Sequence, residues 1–73
     1  MFQLAEDVLK YSIILILEVA NDNKEYDYIS EFNSLINSDL VKSLNISSND
    51  FYKIVNKYID ETETKNVKHF NVI

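Results

Sequence analysis

Ser47-Ser48-Asn49-Asp50-Phe51-Tyr52-Lys53-Ile54-Val55-Asn56-Lys57-Tyr58-Ile59-Asp60 is the stretch whose period settles the fold class. Phe51, Ile54, Val55, Tyr58 and Ile59 recur at helical spacing on one side, and Asn49, Lys53, Asn56 and Asp60 occupy the other. Ser47 followed by Asp50 has the S-x-x-D form of a capping box, which satisfies N–H groups that the first helical turn leaves free. An amphipathic helix is expected over 47–60.

Upstream of it, Asn45 precedes this start and a short apolar segment (Leu40, Val41, Leu44) precedes Asn45. Asn37-Ser38-Asp39 punctuates before that segment, so a short helix is expected at 38–44. Residues 24–36 place Ile29, Phe32 and Ile36 on one helical face, with Tyr28 and Leu35 beside it. Asn21-Asp22-Asn23 is the expected break, offering a left-handed helix end and a cap for the second helix. Residues 3–21 read as one long helix with two adjoining apolar stripes. Phe2, Ala5, Leu9, Ile13, Ile16 and Ala20 form one, and Leu4, Val8, Tyr11, Leu15 and Val19 form the other. Ile14 and Leu17 then fall on the side that should be solvated, which marks them as candidates for a dimer seam. By themselves, residues 12–17 also fit a buried strand, because short apolar runs are ambiguous by period. After Glu63 the pattern fades, so the expected domain is 1–63, with a C-terminal tail, 64–73, whose pattern fits a last helical turn, a strand-like arm or a disordered end equally.

The composition fits this reading. The chain of 73 residues has no glycine and no proline, the residues that tight β turns rely on. An all-α bundle of three to four helices, containing one helix-turn-helix-like hairpin, is therefore expected. A domain this small buries only about 60% of the surface of its unfolded chain, and without cysteine it has no disulfides to compensate. Oligomerisation, or docking onto a partner, is the remaining supplement, and a homodimer is expected. The apolar run 13–17 is far short of the roughly 20 residues that span a bilayer. With no signal peptide evident, the reading is a cytoplasmic protein without a membrane partner.

Catalysis has little to stand on. His69 has no partner spaced to place it, no glycine-rich phosphate loop is possible, and the paired carboxylates lie on helix faces expected to be exposed. One histidine and no cysteine do not make a zinc site. The sequence points to a non-enzymatic binding protein that needs no cofactor.

Residues 40–54, LVKSLNISSNDFYKI, resemble the helix-turn-helix of small transcription regulators of phage or mobile-element type. Leu40, Leu44, Ile46, Phe51 and Ile54 fill the apolar slots and Asn45 takes the turn. Val41 stands where a small residue is usual, and Asn45 where glycine is favoured. The resemblance implies a second helix lying in the major groove of double-stranded DNA. Ser47, Ser48, Asn49, Tyr52, Lys53, Asn56 and Lys57 would then face the duplex, with Lys42 near its backbone. Asparagine would read adenine, and Lys53 would reach guanine or phosphate. Electrostatics works against this. The chain has no arginine, and Asp39, Asp50 and Asp60 offset Lys42, Lys53 and Lys57. Such a regulator would need a dimer spanning two half-sites.

The alternative rests on the acids. The net charge is −5, and its whole excess lies in residues 1–37, where seven acids face two lysines. Glu18, Asp22, Glu25, Asp27 and Glu31 fall close together, with Tyr26 and Tyr28 among them. This would be an acidic surface aimed at a basic protein partner, as in an inhibitor that mimics DNA.

Overall fold

Ser47 caps the helix over that amphipathic stretch, its hydroxyl accepting the Asp50 N–H at 3.1 Å. In the computed structural model, which describes residues 2–73 with side chains from Leu4 onward, this is the last of four helices: α1 (Phe2–Asp22), α2 (Tyr28–Ile36), α3 (Asp39–Leu44) and α4 (Ser48–Thr62). The described residues contain no strand, so residues 12–17 are helical. The side chain of Phe2, one member of the first apolar stripe, lies outside the described residues.

The helix ends are set by local chemistry. Ser38 caps α3 and Asp27 caps α2, its carboxylate accepting the Ser30 N–H at 3.1 Å. The second helix therefore begins at Tyr28 and not at residue 24, and Asn21–Asn23 supplies neither its cap nor a left-handed residue. Asn23 instead accepts the Glu25 N–H and holds a turn. Asn45, at φ 56°, ψ 41°, is the left-handed residue that ends α3, the role expected of it. Glu63 ends α4 in the same conformation, φ 53°, ψ 39°. With a β-carbon and no short amide to compensate, it is strained there by about 1–2 kcal/mol.

One core joins the helices: Leu9, Ile13, Leu17 and Ala20 from α1, Phe32 from α2, Val41 from α3, and Phe51, Val55 and Ile59 from α4. This corrects the expected seam. Leu17 is fully buried and Ile14 half-buried, so neither forms an outward apolar face. The bundle packs on the arc of α1 centred on Leu9, Ile13, Leu17 and Ala20. The second stripe is left in solvent, because so short a chain cannot cover both sides of a 21-residue helix.

Residues 64–73 have no regular secondary structure, yet they do not trail away from the helices. Val67 is buried in the core, and Phe70 wedges between helices with its ring edge-on to Phe32 at 5.8 Å and to Tyr28 at 6.3 Å. Asn66 donates its amide to the carbonyls of Ala20 and Asn21, two of the groups that the end of α1 leaves without helical partners. The domain expected over 1–63 thus extends through this segment.

Candidate functional site

Two surfaces hold the residues the sequence singles out. The first is the flank of α4. Asn49, Tyr52 and Asn56 recur at helical spacing on one face, and residues 70–73 lie along that face. The Asn56 carboxamide donates to the Phe70 carbonyl at 2.9 Å and accepts the Phe70 N–H at 2.8 Å. Asn49 repeats the pattern on Ile73, at 3.3 Å and 2.8 Å. Tyr52 stacks on Phe70 with ring centroids 4.5 Å apart. One turn further along, His69 has the partner that its spacing did not suggest: its Nε2 lies 2.6 Å from Asp60 Oδ1, with both side chains largely exposed.

Three of the eight residues nominated for DNA are therefore engaged by the chain itself. Ser47 is engaged too, as a cap. Lys42, Ser48, Lys53 and Lys57 remain exposed. Asp50, Asp60 and Glu61 share the outward side of α4 with Lys53 and Lys57, so no unbroken basic track runs along it. Ile73 sits at Asn49, near the start of α4, which is the end a recognition helix would bring to base edges.

Burial against Phe51 and Phe70 raises the Tyr52 hydroxyl above its ordinary value of 10.0. Burial, helped by Glu31, raises Tyr26 in the same direction. The folded protein thus holds these protons more tightly than the unfolded chain. That contribution to stability is complete well below pH 10 and is lost as pH rises through the folded-state values. Urea midpoints are expected to fall between pH 9 and pH 11, and to fall less in Tyr52→Phe. An equal fall in both would show that Tyr52 ionises as freely as in the unfolded chain.

The second surface is the outer side of α1. Leu4, Val8, Tyr11, Leu15 and Val19 are 68%, 44%, 64%, 61% and 37% exposed. Their spacing of four, three, four and four residues makes one continuous stripe. At 100° per residue, Asp7 and Glu18 border it on one side and Asp22 continues it; Lys10 starts further round the helix, but its ammonium reaches back over the Tyr11 ring, 5.6 Å from the centroid. Glu18, Asp22, Glu25 and Glu31 are all exposed as the acidic reading requires, but Asp27 is spent as a cap. Tyr26 and Tyr28 are half-buried, and Tyr28 supports Phe70. The stripe was visible in the sequence as the second of two on one helix. Period alone does not tell which of the two the bundle leaves uncovered.

A cleft of about 280 Å³ lies between α1 and the α3–α4 turn, floored by Leu9, Leu44, Ile46 and Ile54 with Glu6, Lys10 and Lys57 at its rim. It is at or below the small end for ligand pockets and brings no reactive pair together. Among the described residues no group of three His, Cys, Asp or Glu side chains is placed to hold a metal, and no helix is long and apolar enough to cross a membrane. No family model, curated protein or solved structure matches the chain.

Proposed function

We propose that the protein is a non-catalytic binding module that takes a basic, amphipathic helix of a partner protein along the outer side of α1. The observation that carries this is the exposed stripe from Leu4 to Val19, flanked by Asp7 and Glu18 and continued by Asp22, with Lys10 as the one lysine that reaches it. Contiguous exposed apolar surface on a small protein marks interaction sites, and a helix laid along it would be read through anchors at helical spacing. Asp7, Glu18 and Asp22 select for lysine or arginine at the partner's rim and speed its approach. The two tyrosines expected to serve as anchors are drawn into the fold, so Tyr11, at the middle of the stripe, takes that role.

Binding of double-stranded DNA is the second reading, and the left-handed Asn45 between α3 and α4 favours it. It ranks below the first because Asn49, Tyr52 and Asn56 are engaged and the exposed lysines are interleaved with acids.

One experiment separates the two: selection from a random peptide library and from a random duplex DNA pool against the same immobilised protein. The expected outcome is enriched peptides with basic residues flanking an i, i+3/i+4, i+7 apolar pattern. Their binding should weaken at high salt and fall at least tenfold in Leu15→Asp, but persist in Lys53→Glu. Enriched duplexes whose binding is lost in Lys53→Glu and kept in Leu15→Asp would overturn the reading in favour of DNA. Peptides indifferent to Leu15→Asp would remove α1 as the site.

A further inference from the structure

The contacts along α4 amount to a device for holding extended chain. A carboxamide has one donor and one acceptor side by side, and an extended residue offers one N–H and one C=O side by side. Asn56 and Asn49 each grip a single residue in this way. The two grips are in register. Seven residues of helix advance about 10.5 Å, and the three residues from Phe70 to Ile73 advance about 10 Å when extended. Such grips read backbone and not sequence. Sequence enters only at the slot between them, where Tyr52 stacks on Phe70 and Tyr28 and Phe32 meet it edge-on.

We propose that this clamp also accepts residues 64–73 of a second copy of the chain, so that two molecules exchange these segments reciprocally. Backbone grips are indifferent to which molecule supplies the backbone. The slot is filled by Phe70 and is matched by the segment that carries it. Charge acts in the same sense: residues 64–73 have Lys65, Lys68 and no acid, whereas all twelve acids of the chain lie before them. The segment is therefore drawn to the body of any copy.

The hinge is built for release. Glu63 is held in the left-handed conformation, and short hinges under strain favour exchange of the element beyond them. With no glycine or proline from Ser48 onward, nothing in the sequence stops α4 from running on through Glu63 once the segment leaves. Exchange relieves two hinges per dimer and makes every clamp bond again. The intramolecular segment competes at an effective concentration of about millimolar or above, so the exchanged form gains with protein concentration.

The test uses the absence of native cysteine. Asn49→Cys and Ile73→Cys chains, one labelled with ¹⁵N, are mixed at several concentrations, warmed to allow exchange, and oxidised. Each variant keeps the Asn56–Phe70 grip. Exchange predicts a mixed disulfide dimer, identified by mass, that exceeds the symmetric dimers severalfold and increases with concentration. Adding Glu63→Asn to both chains, which eases the hinge in the closed form, should reduce it about tenfold. Unsubstituted protein should show a matching dimer by light scattering after the same treatment. A mixed disulfide no more abundant than the symmetric ones, or a fraction unmoved by Glu63→Asn, overturns the proposal. So does unsubstituted protein that remains monomeric at every concentration.

Discussion

Phe32→Ala is expected to cost the protein about 3–5 kcal/mol, roughly half of its whole stability. Phe32 is fully buried and touches both halves of the aromatic core, edge-on to Phe51 at 6.3 Å and to Phe70 at 5.8 Å. Emptying such a site costs about 3–5 kcal/mol, since neighbours held by their own helices collapse only partly into the gap. A domain of this length has about 4–11 kcal/mol in all. The loss therefore takes roughly half of the stability, and no disulfide backs up the rest. Far-UV circular dichroism with urea titration measures it. Ile29→Ala is the control: it lies on the same helix, is 60% exposed, and should move the midpoint little. If the two variants unfolded alike, Phe32 would not be the centre of the core.

Removal of residues 65–73 is expected to cost about as much, about 3–5 kcal/mol. A tail would be dispensable, but this segment buries Val67 and half-buries Phe70. Its Asn66 satisfies the carbonyls of Ala20 and Asn21, and its departure opens Tyr28, Phe32 and Tyr52 to water. Phe70→Ala should account for roughly half of the effect. The urea midpoints of the three chains decide it. A shortened chain as stable as the whole would show that the segment only rests on the helices.

The caps and turns were legible because they depend on neighbours in sequence. Ser47 with Asp50 announced the start of α4, and Asn45 announced the left-handed end of α3. The all-helical class came from the same local signals and from the missing glycine and proline. Features that depend on distant partners were not legible. Period alone gives α1 two apolar stripes, and only the placement of α2, α3 and α4 decides that Leu17 goes in and Leu15 stays out. The segment 64–73 was opaque for a sharper reason. Its structure is imposed by Asn49 and Asn56, side chains that read from sequence as the solvated face of a helix. An asparagine seven residues before another asparagine carries no signal until an extended chain is laid beside it.

The Asn66 contacts join residues 45 and 46 apart in sequence, whereas each helix closes its own bonds within four. Local turns form fast, and loops of that span close late because more chain must be brought to order first. Each helix therefore forms before residues 64–73 close over the bundle, and until they do the slot for Phe70 stands open on a molecule that also carries the exposed apolar stripe of α1. The protein is most adhesive while it is young, and its last-closing segment sets how long that period lasts.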